Sequence, residues 1–188
     1  YNFRGVQVML GEIIGWRNLM WSLTDAMARA PDPWFGGAVL PSARAATAFR
    51  IFSTEAYPAI KSIIEKIVAS GLIYLPSSAR DFKNPDMDRY LKQYVRGSNG
   101  IDYIERIKIM KLLWDAIGTE FGGRHELYER NYAGSHELIR MQALFQAQGS
   151  GALSEMEALA EKCMADYDQN GWTDSAYYSG EDVSILGN

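Results

Sequence analysis

Residues 118–137 combine the residue types that bind a phosphate-bearing ligand. This short segment contains two glycine sites, Gly122-Gly123 and Gly134-Ser135, together with Arg124 and both histidines of the chain. Glycine lets the backbone approach a ligand closely, and the free N–H groups at the start of a helix attract anions. Arginine adds a planar cation that pairs with phosphate oxygens. The segment therefore favours phosphate binding, although it does not indicate which ligand is bound.

Two interpretations of these glycines remain open from the sequence alone. Gly122-Gly123 interrupts a strongly helical pattern, and Gly134-Ser135 immediately precedes another helical pattern. In the first interpretation the glycines only end and begin helices, as C-cap and N-cap residues do. In the second, the Gly123 N–H, the Arg124 guanidinium and the Ser135 hydroxyl and N–H converge on a diphosphate.

Metal and nucleophile chemistry have weaker support. His125 and His136 are eleven residues apart, with glutamates nearby. Helical metal motifs place ligands three or four residues apart on one face, and neither His-x-x-His nor Glu-x-x-His occurs in the chain. Glu126, Glu129 and Arg130 are interpreted as a solvated face or as interface salt bridges. No metal ligand and no catalytic nucleophile is therefore predicted.

The composition is that of one ordinary globular domain. The chain has 188 residues, of which 47% are hydrophobic and 22% charged, enough to bury one sizeable core. A net charge of -4 argues against a nucleic-acid partner, and no apolar run reaches the roughly 18 residues of a membrane span. Cys163 is the only cysteine and is expected to be a buried small hydrophobe. We expect a cytoplasmic protein with no nucleic-acid or membrane partner.

The start of the sequence suggests a piece of a longer protein. The chain begins at Tyr1 rather than at methionine and enters helical patterning almost at once. Intact-mass measurement of the native protein tests this hypothesis.

Apolar residues at three- and four-residue spacing predict an all-α fold, most simply a helix bundle. The first helix extends from about Val6 to Met27 and ends before Pro31 and Pro33. The other predicted helices span residues 43–52, 59–69, 86–95, 101–121, 135–148 and 154–167. No strand and no internal repeat is predicted.

Several helix boundaries follow from individual residues. Pro58 is expected to divide the second helix from the third, and Gly71 to cap the third. Ser154 and Glu157 fit a capping box that opens the last helix. Residues 72–85 read as a surface loop. The helix predicted next, at 101–121, has so little polar surface that we expect it inside the bundle.

Five stretches of the chain resemble one enzyme family. They are AYPAIK at 56–61, GLIYLPSS at 71–78, YVRG at 94–97, WDAIGTEFGGRHELYERNY at 114–132 and YDQNGW at 167–172. These stretches are similar to the C-terminal domain of 4-hydroxyphenylacetate 3-monooxygenases, in their large oxygenase component. The resemblance covers essentially the whole chain.

The resemblance implies an architecture like that of acyl-CoA dehydrogenases. In that fold an N-terminal helical domain and a β-barrel precede a C-terminal four-helix bundle that builds a homotetramer. Only the bundle is expected here, with residues 1–169 forming the domain at the FAD edge and the oligomer contacts. Residues 170–188 are expected to form an irregular tail.

The resemblance also implies cofactor-binding residues. Residues 121–124 lie where acyl-CoA dehydrogenases carry a Gln-x-x-Gly-Gly turn, and residues 134–136 lie where they carry a Glu-Gly-Thr turn. Both turns contact FAD in those relatives. Gln7 resembles a glutamine on their second bundle helix, and this likeness implies that the first bundle helix is absent from this chain. The residues implied to contact FAD are Phe121, Gly122, Gly123, Arg124, Gly134, Ser135, His136 and Gln7.

The implied activity is the ortho-hydroxylation of 4-hydroxyphenylacetate, or a similar phenol, to a catechol. A separate flavin reductase supplies reduced FAD, and oxygen then forms a C4a-hydroperoxyflavin that transfers its distal oxygen to the ring. Because the residues that recognise the phenol lie mainly in the missing domains, this fragment alone is expected to be inactive and no catalytic residue is assigned to it.

Two alternatives to this activity remain. A relative of the FAD-dependent 4-hydroxybutyryl-CoA dehydratases would need several cysteines for an iron–sulfur cluster, and this chain has one. The other alternative is a purely structural oligomerisation domain that binds no flavin.

Overall fold

The computed structural model describes residues 2–132 and 134–165, and the backbone of residues 167–168 and 171–172. Helices dominate, which confirms the predicted all-α class. The helices are α1 Arg4–Arg29, α2 Ala43–Val68, α3 Pro85–Tyr94, α4 Tyr103–Ile117, α5 Glu120–Tyr132, α6 His136–Gly149 and α7 Ala152–Met164. Apart from residues 171–172, the predicted tail at 170–188 lies outside the described residues.

Two short antiparallel hairpins were not predicted. In the first, β1 Asp32–Pro33 pairs with β2 Val39–Leu40, and in the second, β3 Tyr167–Asp168 pairs with β4 Gly171–Trp172. Each strand has only two residues, too few for an alternating apolar pattern to mark it.

The first hairpin directs the chain from α1 into α2. Helix α1 ends at Arg29, just before the prolines, as predicted. Gly36 and Gly37 then turn the chain with φ values of 66° and 79°, in the left-handed region that favours glycine. The Asp32 carboxylate accepts a hydrogen bond of 2.6 Å from the Ala43 N–H, which anchors the start of α2.

Helix α2 is a single helix of 26 residues, so the predicted division at Pro58 is wrong. Proline lacks an N–H and crowds the preceding turn, which costs about 3 kcal/mol in a helix interior. The helix continues because Thr54, Ala56 and Ile63 are buried on both sides of the proline. Burial of a helix face contributes more to helix stability than local propensity does.

The segment between α2 and α3 is more regular than the surface loop predicted at 72–85. Ala69, with a φ of 47°, ends α2 in place of the predicted cap Gly71, which is buried in the following 3-10 turn. A second 3-10 turn, Ala79–Lys83, opens with a capping box between Ser78 and Asp81. Helix α3 follows where it was predicted.

Helix α4 is less buried than its apolar sequence predicts. Ile107 packs with Leu91 of α3 and with Val95, directly after α3, in a small core. On the rest of the helix, Ile109 is 60% exposed and Leu112 is 68% exposed. The expectation that this helix lies inside the bundle is therefore wrong for the described residues. Its apolar surface is larger than this chain by itself covers.

The chain divides into two compact units, residues 1–140 and residues 141–188. The first unit holds α1 to α5 and the first turn of α6. The boundary falls within α6, whose position and length agree with the prediction for 135–148. Among the described residues, no helix combines the length and the apolar character required to cross a membrane.

In the second unit the start of α7 differs from the prediction. Helix α7 begins at Ala152, directly after Gly151 with a φ of 80°. Ser154 thus lies inside the helix, and the predicted capping box with Glu157 is wrong, because a left-handed glycine already turns the chain into the helix. Cys163 is exposed rather than buried as expected.

Candidate functional site

The break between α4 and α5 falls at Gly118 and Thr119, so the prediction that Gly122 and Gly123 interrupt the helix is wrong. The Thr119 hydroxyl accepts a hydrogen bond of 3.0 Å from the Gly122 N–H. The Thr119 carbonyl accepts one of 2.9 Å from the Gly123 N–H. Both glycine N–H groups are therefore used inside α5, and they are not available to bind an anion.

The two glycines of α5 have different surroundings. A Cβ atom on Gly122 would lie 2.6 Å from the Asp115 carbonyl oxygen and 2.8 Å from that of Ala116. A Cβ atom on Gly123 would meet no atom within 4 Å. Gly122 is therefore required for the close approach of α5 to the end of α4, whereas Gly123 faces open space.

The first turns of α5 present an exposed aromatic and cationic surface. Phe121 is 82% exposed, and its ring stacks on His125 with centroids 6.2 Å apart. The Arg124 guanidinium is also exposed and, among the described residues, pairs loosely with the Glu120 carboxylate, at 4.0 Å. These four residues and Tyr128 line a shallow depression of about 440 Å³. Phe121 and Arg124 are thus placed to contact a ligand from outside this chain.

The second predicted segment forms the entrance to α6, as expected. Gly134 has a φ of 111°, and the Ser135 hydroxyl accepts a hydrogen bond of 3.1 Å from the Leu138 N–H. Ser135 therefore acts as the N-cap of α6. The N–H groups of the first turn of a helix have no acceptor within the helix, so this end is suited to an anion.

Two further groups lie at the entrance to α6. The His136 Nε2 atom is buried and has no hydrogen-bond partner in the described part of the chain. Arg50 of α2 brings its Nη2 atom to 3.9 Å from the position of a Cβ on Gly134. Arg50 was not predicted, because no local pattern connects α2 with a turn so distant in sequence.

An ion pair joins the first turn of α6 to α2. The Arg140 Nη2 atom lies 2.6 Å from the Glu55 carboxylate, and a second Arg140 nitrogen donates to the His136 carbonyl. Both side chains are partly exposed, so the pair fixes orientation more than it stabilises the fold.

A larger cavity of about 600 Å³ lies between α2 and the α4–α5 junction. Its lining includes Tyr57, the glutamates Glu126 and Glu129, and Arg130. Glu126 and Arg130 form a largely buried ion pair one helical turn apart, so the predicted solvated face is wrong for these two residues, whereas Glu129 is exposed. The interface alternative stays a prediction. The i,i+4 spacing of Glu126 and Arg130 was the available signal, but spacing alone does not show burial.

The surroundings of the Tyr57 phenol in this cavity shift its pKa. Burial raises the pKa of Tyr57, and the Glu126 carboxylate raises it further, whereas Arg130 lowers it and Glu65 adds a smaller upward effect. The phenol is therefore held in its neutral form. Tyr57 was not predicted as a site residue.

The remaining predicted site residue, Gln7, lies exposed on α1. Its backbone N–H bonds to Phe3, and the hydrogen bonds of the described residues do not connect it with either glycine segment. Within the same residues, no group of three or more His, Cys, Asp or Glu side chains is arranged to hold a metal ion.

Comparison with known proteins identifies the family of this chain. Residues 1–161 match the family model described as 4-hydroxyphenylacetate 3-hydroxylase C terminal. The chain belongs to this family. It is 60% identical over 184 residues to the 4-hydroxyphenylacetate 3-monooxygenase oxygenase component of Pseudomonas aeruginosa, covering 98% of this chain and 35% of that protein. It is also 52% identical, over 98% of its length and 36% of the relative, to a 4-nitrophenol 2-monooxygenase oxygenase component from a Rhodococcus species.

Solved structures agree with the family. The chain resembles the oxygenase component of 4-hydroxyphenylacetate 3-monooxygenase complexed with FAD, with a TM-score of 0.76 and 28% identity over 87% of this chain and 34% of that one. An archaeal 4-hydroxybutyryl-CoA dehydratase has a TM-score of 0.74 at 19% identity, over 100% of this chain and 36% of that one, which shows a shared fold alone. The chain spans about a third of the length of these relatives.

Proposed function

We propose that the chain is the C-terminal domain of a cytoplasmic, reduced-FAD-dependent oxygenase that hydroxylates 4-hydroxyphenylacetate, or a similar phenol, ortho to its hydroxyl group. One observation carries the proposal, the 60% identity to an oxygenase component over 98% of this chain. Within the enzyme the domain contributes one edge of the flavin site and contacts within a homotetramer. A flavin reductase is the expected partner, since the relatives are named as oxygenase components.

The residues around α6 suit the anionic diphosphate of FAD. The N-terminus of α6 carries a partial positive charge, Arg50 brings a cation to Gly134, and the buried Nε2 atom of His136 lacks a partner in the described residues. Ser135 keeps a hydroxyl hydrogen to donate, because its oxygen is the atom that caps the helix. These groups would hold the diphosphate.

The residues at the start of α5 have more varied roles in the proposal. Arg124 supplies a second cation and Phe121 an exposed ring, both able to contact the flavin. Gly123 leaves open space for the ligand, and Gly122 fixes the position of α5 against α4. Gln7 remains a predicted contact through its position on α1.

The carboxylates of the larger cavity argue against placing the diphosphate there. Asp115, Glu126 and Glu129 face that cavity, and Arg130 is already paired with Glu126. Like charges would oppose a diphosphate at this place. We therefore assign the proposed flavin edge to Arg50 and Arg124, two cationic groups outside this cavity.

Reduced flavin, when bound, supplies the activation of oxygen for the hydroxylation. The contribution of this chain is to bind and orient the cofactor and to cover one side of it from water. The aromatic ring of Phe121 and the packed α4–α5 junction would cover that side of the cofactor from water.

The proposal is tested with the complete oxygenase that carries this chain and with a flavin reductase. We expect NADH-dependent conversion of 4-hydroxyphenylacetate to a catechol, detected by chromatography, and no conversion without the reductase. Absence of hydroxylation with reduced FAD, oxygen and a panel of phenols would contradict the activity. If the complete protein also fails to alter FAD fluorescence on titration, the structural alternative is supported instead.

A further inference from the structure

The loop between α3 and α4 contains a tight turn at Asn99 and Gly100. The Ser98 carbonyl accepts a hydrogen bond of 3.2 Å from the Ile101 N–H, which closes the turn. Asn99 has a φ of 57° and Gly100 a φ of 78°, and two positive φ values in succession are those of a type I′ turn. Asparagine followed by glycine is the pair of residues that adopts this turn most easily.

The loop is anchored on both sides of the turn. Before it, the Arg96 carbonyl accepts a hydrogen bond of 2.7 Å from Nη1 of Arg106. A Cβ on Gly97 would lie 2.7 Å from the Cβ of Ile101, so the residues that flank the turn pack directly against each other. These contacts hold the ends of the loop and leave its tip free to change conformation.

The tip of the turn is open to solvent. Asn99 and Gly100 are exposed, and a Cβ on Gly100 would meet no atom within 4 Å. Among the described residues, the Gly100 N–H donates no hydrogen bond. One exposed hydrogen bond closes the turn, so the turn opens at a low cost in free energy. The Asn99 side chain and the Gly100 nitrogen can therefore approach each other while both helices stay folded.

We propose that Asn99 is a site of spontaneous deamidation through a cyclic imide. The Gly100 backbone nitrogen loses its proton and forms a bond to Cγ of Asn99. The Cγ–Nδ2 bond breaks, and Nδ2 leaves as ammonia with that proton. Water then opens the ring, at Cγ to give aspartate or at the backbone carbonyl carbon to give isoaspartate. The reaction needs only water, so the inference is independent of the flavin assignment.

The two products have different effects on the turn. Aspartate, like asparagine, adopts a positive φ more readily than most residues, so this product keeps the turn and adds a negative charge. Isoaspartate adds a methylene group to the main chain and cannot keep the type I′ geometry. Because the loop connects Val95 with the helix that carries Ile107, isoaspartate should loosen the small core that these residues form.

The other asparagines in the described part of the chain lack this combination. Asn18 and Asn131 lie inside α1 and α5, where the following N–H is bonded within the helix. Asn84 precedes Pro85, which has no N–H. Asn2 is followed by a phenylalanine, whose side chain hinders attack by the nitrogen. The structure thus favours Asn99 among these positions.

Peptide mass spectrometry tests the proposal on the complete oxygenase that carries this chain. The folded protein is kept at mildly alkaline pH in water enriched in heavy oxygen and is then cleaved with trypsin. Residues 97–106 form a peptide whose only asparagine is Asn99, and residues 131–140 form a control peptide whose only asparagine is Asn131. Heavy oxygen should enter the first peptide about tenfold faster than the second, because glycine leaves its nitrogen unhindered. Asn170, in the other Asn-Gly pair of the sequence, belongs to a separate peptide.

Two variants separate the chemistry from the position of the residue. Asn99→Gln keeps an amide but must close a larger ring, so uptake of heavy oxygen into this peptide should fall to the level of the control peptide. Gly100→Ala places a methyl group beside the attacking nitrogen and should slow the uptake about tenfold. Circular dichroism of both variants checks that the helices are retained.

A sample unfolded in urea shows whether the native protein permits the reaction. Uptake at Asn99 in the folded oxygenase supports the proposal. Uptake that occurs only in the unfolded sample would overturn it, because the native turn or the rest of the enzyme would then protect the residue. Equal rates for the two peptides of the folded protein, or undiminished uptake in Asn99→Gln, would overturn it as well.

Discussion

Gly122 packs directly against Asp115, since a Cβ on the glycine would stand 2.6 Å from the Asp115 carbonyl oxygen. The contact joins the first turn of α5 to the last turn of α4, on both sides of the break at Gly118. Its neighbour Gly123 has no such contact. Two adjacent glycines in one helix therefore serve different purposes, the first for packing and the second for open surface.

This difference gives a stability prediction. Gly122→Ala should lower the free energy of unfolding by about 1–3 kcal/mol, because the methyl group displaces backbone carbonyls that cannot move aside easily. Gly123→Ala should raise it by about 0.5–1 kcal/mol, because alanine favours the helix and meets nothing. Urea denaturation of the two variants measures both changes. Equal effects of the two substitutions would contradict the assignment.

The contact between Gly122 and Asp115 is an example of packing that could not be predicted from the sequence. The spacing of apolar residues located α1, α3 and α6, because each helix has one covered side. The sequence prediction failed at Pro58 and at Gly122. There proline and glycine indicate a break in the helix, but packing keeps the helix continuous. Packing partners distant in sequence decide such positions, and no local pattern contains them.

The candidate site was also predictable only in part. The entrance to α6 follows from Gly134 and Ser135, a turn and an N-cap that are local in sequence. Arg50 and Tyr57 belong to α2 and reach the site only through tertiary packing. The family resemblance also points to Gly134 and Ser135. Arg50 and Tyr57 were found only from the structure.

Arg124 allows a direct test of the flavin edge. Arg124→Ala should weaken binding of reduced FAD about tenfold in the complete oxygenase, because a charge-assisted contact to the diphosphate is lost. Its side chain is exposed and, in the part of the chain that the structure describes, pairs loosely with Glu120 at 4.0 Å, so folding should be unaffected. Arg44→Ala, an exposed arginine of α2, is the matched control. Anaerobic titration of reduced FAD measures both, and an affinity unchanged by Arg124→Ala would defeat the assignment.

Tyr57 should make the stability of the chain sensitive to alkaline pH. Burial, with help from Glu126, raises the pKa of Tyr57 above the ordinary value of about 10. A pKa raised by folding gives a stabilisation that is present below the unfolded pKa and is lost as pH rises through the folded pKa. Tyr57→Phe should therefore lose less stability above about pH 10 than the wild type. Denaturant unfolding at a series of alkaline pH values tests this, with the exposed Tyr132→Phe as control, and identical alkaline slopes for Tyr57→Phe and wild type would refute it.

Asp88 should have the opposite effect at acid pH. Its carboxylate accepts hydrogen bonds from Lys92 at 2.5 Å and from the Tyr103 hydroxyl at 2.7 Å, which lowers the pKa of Asp88. The resulting stabilisation is present above about pH 4, the ordinary range of an aspartate, and is lost as pH falls through the depressed pKa. Tyr103→Phe should move the pKa of Asp88 upward, as NMR titration of the carboxyl carbon would show. A pKa that stays in place would mean that the Tyr103 hydroxyl does not stabilise the carboxylate.

His136 separates the structural from the cofactor interpretation of the α6 entrance. Its Nε2 atom is buried without a hydrogen-bond partner in the described residues, an arrangement that costs stability unless a ligand supplies the partner. His136→Phe, which removes the polar atom but keeps a ring, should therefore leave the free energy of unfolding equal or up to about 1 kcal/mol higher without flavin. The same variant should bind reduced FAD about tenfold more weakly, because the missing partner is proposed to be the cofactor. Denaturation and flavin titration of one protein preparation give both numbers. Destabilisation without any change in flavin affinity would assign His136 to the fold alone.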